Sequence, residues 1–420
     1  MYLTDSEKEI LDGKKGPDKQ AAMDLLVRYG EALNADRLLD VRNVAFSTYS
    51  PYPPGRVGHM DPENYDAIFA FRNLGVKGDF KISRIDTDAG SLATNAPIDY
   101  LKHIGATDEM IRATEIVDAF RNRVGISSIL TCTPYIVGQV PAFGEHCAWG
   151  ESSAVIFINS VLGARTNCEG KEAGGAAALV GKIPHAGLHL DENRLATHLV
   201  HIEYQPKTFE EWDLLGYAVG KHVGAGVPLI VGNFEHLTND IHKSFGCAMT
   251  SGGAIDLYHV LGHTPEAHSK EKILGEKKPI ELKIGKEEIL AAREKLDFSQ
   301  RKDIECVILG CPHYSIEQVR KAAYLLEGRK CKIPVYIMAA RQVKYLAICD
   351  GLNQIIEDAG GFILTDCCPA LAQVWPFDFS SMATDSGKQA HYIPGSKPNM
   401  QIHLGSMERC IDSAITGIWR

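Results

Sequence analysis

Residues 304–310 (IECVILG) form an apolar run of strand character, and residues 315–318 (SIEQ) follow it with a capping-box sequence that opens a helix through Leu326. Residues 333–340 (IPVYIMAA) predict the next strand, residues 343–359 a further helical stretch, and residues 361–365 (GFILT) a third strand. Strand–helix–strand–helix–strand at this spacing predicts an α/β fold, with a parallel sheet and right-handed crossovers. A further strand is predicted over residues 227–232 (VPLIVG).

Nearer the N-terminus, Ala21, Leu25, Leu26, Tyr29 and Leu33 fall at helical spacing, and Pro17 suits the first turn of that helix. Residues 46–58 (FSTYSPYPPGRVG) hold three prolines and two glycines and read as a loop. A mixed region follows to about residue 120, with no internal repeat or low-complexity tract. A chain of 420 residues is expected to form two or three domains. The divisions read from the pattern are a helical and mixed α/β region over 1–125, an α/β domain over 126–300 and a second α/β domain over 301–420.

Lys plus Arg is 44 and Asp plus Glu is 53, so the net charge is −9. That excludes a general nucleic-acid or anionic-membrane binder, because both need a basic surface. A hydrophobic content of 45% with 23% charged residues excludes disorder. The most apolar stretch, residues 154–164 (AVIFINSVLGA), falls short of the roughly 20 residues a bilayer span needs. The charged opening MYLTDSEKEILDGKKG has no apolar signal-peptide core, so a cytoplasmic protein is expected. Eleven cysteines, an odd number, then argue against a disulfide framework.

Three cysteine sites stand out by position. Cys311 follows the strand-like run 304–310, Cys367 and Cys368 follow 361–365, and Cys132 ends the apolar run 126–131 (ISSILT). Ligands of open α/β sheets bind at the carboxyl ends of strands, so these thiols could converge. Cys306 inside its strand and Cys349 inside its helix read as core residues. The flanks are TCTPY, GCPHYS and TDCCPA; proline after Cys311 and Cys368 holds each thiol on a rigid corner. No C-x-x-C or paired-histidine spacing accompanies them, which excludes a zinc finger. A three-thiolate site built from distant segments fits an iron–sulfur cluster with one iron left open; unrelated buried thiols are the competing reading.

Residues 143–153 (FGEHCAWGESS) place Glu145 and Glu151 around His146, which suits acid–base groups or substrate partners; an ordinary turn before a helix near Ser152 is the alternative. The glycine-rich helix over 173–180 lacks the ending of a phosphate loop. In residues 384–388 (TDSGK), Ser386, the Gly387 amide and Lys388 make a candidate carboxylate or phosphate cradle, against a plain helix start with a solvated lysine. His185, His189, His198 and His201 match no zinc motif and read mostly as surface or packing residues.

Together, the run from Thr131 to Asn167 and the segments LHLDEN, GCPHYS, TDCCPA and TDSGKQAHY resemble the large subunit of the aconitase X family across most of residues 1–400. The resemblance implies an aconitase-like hydro-lyase, with parallel or mixed sheets around an iron–sulfur cluster ([4Fe-4S] or [2Fe-2S]) held by three cysteines. By motif those are Cys132, Cys311 and Cys368. Cys368 is preferred to Cys367 because the family usually reads D-T-C, with Cys367 standing where the threonine would be. The family also has a small swivelling domain, fused or separate. No stretch after residue 400 is long enough for one, so a small partner subunit carrying a serine base is expected, making a heterodimer.

Two substrates are known for the family, cis-3-hydroxy-L-proline and mevalonate 5-phosphate. The archaeal, phosphate-handling type carries Ser-Ala-His-x-Ser-Gly-Val-Ser-Tyr near its N-terminus, and residues 46–54 (FSTYSPYPP) depart from it. The leading expectation is therefore removal of water from cis-3-hydroxy-L-proline or another small hydroxy acid. Mevalonate 5-phosphate is the alternative, and a non-catalytic iron–sulfur protein on the same scaffold is the rival class. In this reading Ser386 and Lys388 hold the substrate carboxylate. Glu145, His146 and Glu151 line the pocket, and Asn167 is a further pocket residue.

Overall fold

The structure is a computed structural model that describes residues 1–46, 85–86, 102, 106–126, 129–235, 237–276, 278–368 and 379–420. Most of the predicted loop 46–58, and the stretch that departs from the archaeal motif, lie outside the described residues.

The region that decides the fold is a parallel sheet of five strands, Gly361–Leu364, Val335–Ala339, Cys306–Tyr314, Ser381–Thr384 and Gln401–Leu404 in spatial order. The first strand in the chain lies at the centre, flanked by the second and the fourth. A topological switch point therefore sits between Cys306–Tyr314 and Ser381–Thr384. The capping box is present: Ser315 Oγ accepts from the Gln318 amide and the Gln318 side chain accepts from the Ser315 amide, starting the Ile316–Leu326 helix.

Three local expectations change. The central strand runs through Tyr314, and its ladder with Val335–Ala339 is interrupted between Leu309 and Tyr314. Gly310 sits in the interruption at φ 91°, where a Cβ would lie 2.4 Å from the Met338 carbonyl oxygen, so only glycine fits. Cys311 thus lies on an irregular turn inside the strand rather than after it. The stretch 343–359 is two helices, Arg341–Cys349 and Leu352–Ala359, parted at Gly351 in left-handed backbone. Cys349, expected in the core, is exposed because it closes the first of these helices on its outer face.

A second parallel sheet has the order His259–Val260, Pro228–Val231, His198–Ile202, Ile280–Ile284. Its helices Phe209–Val223 and Asn239–Gly252 pack closely, and the apolar core beneath them continues into the five-stranded sheet. In the N-terminal part, Asn43–Ala45 pairs in parallel with Ile85–Asp86 and Cys147–Trp149, while Leu38–Asp40 runs antiparallel to Lys182–Pro184. The predicted helices at 17–33 and 173–180 are present as Pro17–Ala32 and Lys171–Val180. The apolar stretch after Ser152 is a buried helix that widens into a π-turn at Ile158–Leu162. Among the described residues, no helix is long and apolar enough to cross a membrane.

Candidate active site

Cys132 sits in a bend before a short Pro134–Ile136 helical turn, not at a strand end: the described residues 129–131 form no strand, and Leu130 has a φ of 46°. A left-handed residue cannot continue a ladder, which is why the apolar run 126–131 fails as a strand. Cys132 is nonetheless buried against the other sites. Burial pushes its thiol well up, the negative charges of Glu151, Cys311 and Cys368 push the same way, and the His313 amide, 3.2 Å from Sγ, opposes them.

The two adjacent cysteines point differently. Asp366, at φ 67° and bound to Arg341 Nε at 2.6 Å, turns the chain after the Gly361–Leu364 strand. Cys367 then packs into the core with its Sγ 3.6 Å from Met338 Sδ, while Cys368 is only half-buried and is felt electrostatically by Cys132. The third thiol, Cys311, is pushed well up by a hydrogen bond with Cys247 and by burial, against the Lys388 ammonium and Ser386. Cys247, on the Asn239–Gly252 helix, was not legible as a site residue because nothing in its FGCAM context marks it.

All eleven cysteines are free thiols. Among the described residues, no group of three His, Cys, Asp or Glu side chains could hold a single metal ion. An iron–sulfur cluster is wider than one ion and spaces its thiolates apart, so three thiols on turn segments, of which Cys132 senses the charge of the other two, suit the donor chemistry of a cluster rather than that of zinc.

Glu151 and Lys388, read separately in the sequence, meet here: Lys388 Nζ lies 2.6 Å from Glu151 Oε1 and 3.2 Å from Ser152 Oγ. Burial alone would raise the Glu151 carboxyl. The Lys388 charge and hydrogen bonds from Lys388, Ser153 and the Ala154 amide outweigh it and hold the carboxyl below the usual range. Burial would lower the Lys388 ammonium, but Glu151, Cys247 and Cys311 raise it well above its ordinary value. Both groups are charged near neutrality. Glu151 also caps the Ser152–Phe157 helix through the Ala154 amide at 2.8 Å.

The cradle expected at residues 384–388 is a helix start, but its lysine is mostly buried, with 11% of its side chain exposed, rather than solvated. Ser386 caps the Gly387–Ser396 helix through the Gln389 amide and donates its hydroxyl proton to the Cys311 carbonyl. The Gly387 amide donates to Asp213 Oδ2 at 2.6 Å. Both expected cradle donors are therefore engaged within the protein, and only the lysine charge faces the thiols. Burial pushes the Asp213 carboxyl up to about 7 despite hydrogen bonds from Ser244 and Gly387. Asp213 went unnoticed in the sequence because it lies within an otherwise ordinary amphipathic helix.

Glu145 and His146 are placed elsewhere. Glu145 accepts from the Ala142 amide at 2.8 Å in a turn. His146 Nδ1 faces His189 Nδ1 at 3.0 Å, and burial and then Arg165, His185 and Arg194 lower it. The reason is the Cys147–Trp149 strand: at about 3.3 Å per residue it carries Glu151 well away from the residues before it. Asn167 holds a turn, donating to the Ala186 carbonyl at 3.3 Å and accepting from the Leu188 amide at 2.8 Å. His189 is buried, and burial pushes its imidazole down to about 3.

Comparison with known proteins gives this arrangement a class. Residues 1–192 match the family description "Aconitase X first domain", residues 196–294 "Aconitase X second domain" and residues 304–416 "Aconitase X third domain". The phosphomevalonate dehydratase large subunit of Thermococcus kodakarensis is 37% identical, over 99% of this chain and 100% of its own. The cis-3-hydroxy-L-proline dehydratase of Hypocrea jecorina is 28% identical, over 99% of this chain and 69% of its own. A crystal structure of Thermococcus kodakaraensis aconitase X in holo-form superposes with a TM-score of 0.82 at 34% identity, covering 99% of this chain and 100% of that one. The chain is an enzyme, a dehydratase of the hydro-lyase class. It belongs to the aconitase X family. Of the two substrate expectations, the similarity favours the alternative over the leading one, because the Thermococcus kodakarensis relative is 37% identical against 28% for the Hypocrea jecorina one.

Proposed function

We propose that this chain is the large subunit of a phosphomevalonate dehydratase, acting on mevalonate 5-phosphate with an iron–sulfur cluster held by Cys132, Cys311 and Cys368 and with a small partner subunit. The observation that carries this is the whole-length match to a phosphomevalonate dehydratase large subunit, at 37% identity against 28% for a hydroxyproline dehydratase of greater length. Subunit names of the "large" kind support a small partner.

In this elimination a proton leaves the carbon beside the carboxylate and hydroxide leaves the next carbon, giving a conjugated double bond and water. When bound, the cluster supplies a Lewis acid that makes hydroxide a tolerable leaving group. Lys388 presents a fixed positive charge beside the thiols and attracts the substrate carboxylate. Glu151 holds that ammonium in place and keeps it protonated. Ser386 fixes the backbone of the Cys311 turn, so the cysteine and the lysine keep one spacing.

The test is anaerobic co-expression with the small subunit, reconstitution with iron and sulfide, and assay on both substrates. Loss of one water from mevalonate 5-phosphate is the expected result. Turnover of cis-3-hydroxy-L-proline alone overturns the substrate assignment. A stable cluster with no turnover on a panel of hydroxy acids overturns the catalytic reading in favour of an iron–sulfur protein without activity.

A further inference from the structure

The three cysteine segments come from distant parts of the chain, and one side chain touches two of them while riding on the third. His313 lies two residues beyond Cys311 on the central strand and is 2% exposed. Its Nε2 is 3.1 Å from the Cys367 carbonyl oxygen, and its Nδ1 is 2.9 Å from Thr131 Oγ. Its backbone amide donates to Cys132 Sγ at 3.2 Å.

These partners fix the tautomer. A carbonyl oxygen can only accept, so Nε2 carries the hydrogen. In the neutral ring Nδ1 is then the acceptor, and Thr131 donates its hydroxyl proton to it. Thr131 Oγ in turn accepts from the Thr133 amide at 3.1 Å, which closes the bend around Cys132. On the other side, Lys243, itself buried, donates to the His313 carbonyl at 3.0 Å and pairs with Asp240 at 3.0 Å, so the histidine backbone is held as well.

We propose that His313 is a positioning residue that locks the Cys132, Cys311 and Cys368 segments in register for cluster binding, through Nε2–H to the Cys367 carbonyl and Nδ1 to Thr131. This rests on the assignment of those three cysteines as cluster ligands. A thiolate set drawn from three segments keeps its spacing only if something ties the segments together. Outer partners of this kind typically change metal affinity by about 10–100-fold when removed.

The experiment uses the full chain with its small subunit, reconstituted anaerobically with ferrous iron and sulfide. It measures iron and sulfide per chain, the visible absorption spectrum, and the rate of bleaching by a chelator; circular dichroism checks the fold. His313→Leu is expected to bleach roughly 10–100-fold faster than wild type. His313→Gln, whose amide can still donate towards Cys367, is expected to fall between the two. Thr131→Val keeps the side-chain shape but removes the donor to Nδ1, and several-fold faster bleaching is expected. Wild-type loading and bleaching in a folded His313→Leu chain overturn the proposal, while Cys311→Ser losing the cluster beside it shows that the ligand assignment stands. If His313→Leu does not fold, Thr131→Val decides, and a wild-type rate there overturns the proposal. If the folded wild-type complex takes up no iron and sulfide, the ligand assignment fails and this inference falls with it.

Discussion

The two larger sheets have the same plan and different chemistry. In each, the first strand in the chain is flanked by the second and the fourth, which leaves a switch point between first and fourth. Around the carboxyl edge of the five-stranded sheet stand Cys311, on the irregular turn inside its strand, Cys368, Ser386 and, two residues on, Lys388. At the carboxyl ends of the four-stranded sheet stand Glu203, Gly232 and Gly285. His201, Glu203, Val231, Gly232 and Lys283 help to line a cavity of about 620 Å³ there, and its ion pair, Glu203 with Lys283 at 2.6 Å, is solvent-facing. Topology gives both sheets a place for a ligand; only the residues on the end loops give one of them chemistry. The smaller sheet contributes through its helices instead, which bring Asp213 to the Gly387 amide and Cys247 to Cys311.

The sharpest way to break this contrast is to exchange one atom on each sheet. Cys311→Ser is expected to abolish both cluster and dehydration, read by iron content and turnover. Should it keep both, the five-stranded sheet has no special standing.

Lys388→Met tests the buried pair. Removing one partner strands the Glu151 charge and is expected to destabilise the protein by about 3–5 kcal/mol, read by denaturant unfolding. A fall of roughly 30-fold to several thousand-fold in kcat/KM is expected from the lost contact to the substrate carboxylate, with cluster content unchanged. Adding Glu151→Gln should recover much of the stability and none of the activity. Equal stability of the single and double variants would argue against the pair.

Two glycines follow the fourth strand of their respective sheets. A Cβ at Gly387 would lie 2.4 Å from Asp213 Oδ2, whereas at Gly285 the nearest neighbour is Glu288 Oε2 at 3.6 Å. Gly387→Ala is expected to destabilise the protein by about 1–3 kcal/mol through crowding, and Gly285→Ala to be tolerated. Unfolding of the two variants side by side checks it.

The pH dependence of melting probes Asp213. Its carboxyl is pushed up to about 7 in the fold, so between the ordinary carboxylate range and pH 7 the folded chain holds a proton that the unfolded chain has released. Stability therefore falls as pH rises through that interval. Asp213→Asn cannot titrate and should lack this slope, melting a few degrees (roughly) higher than wild type at pH 8 relative to pH 5. Parallel curves for the two proteins would overturn the assignment. The smallest effect belongs to the other sheet: Glu203→Gln removes an exposed pair and should leave both melting and turnover unchanged.

The strand runs at 304–310, 333–340 and 361–365 and the capping box at Ser315 were legible because each is a short-range pattern read over a few residues. The run at 126–131 was apolar enough to read as a strand, yet nothing in its composition announces the left-handed Leu130. Cys349 looked internal from its helix alone, and only the packing of that helix shows which side faces out. Glu145, His146 and Glu151 looked like one cluster because they are neighbours in sequence; a three-residue strand between them sends them apart.

The sequence by itself determined three strands of the parallel sheet, the helix start at Ser315, and turns at the cysteines followed by proline, because hydrophobic periodicity, capping and turn residues act within one or two turns of chain. Only the tertiary structure decided that Glu151 meets Lys388, 237 residues away, that Cys367 packs against Met338, and that His313 contacts Thr131, Cys132 and Cys367. Those partnerships depend on the direction of single side chains across folded elements, where one residue of register turns a side chain from the site into the core.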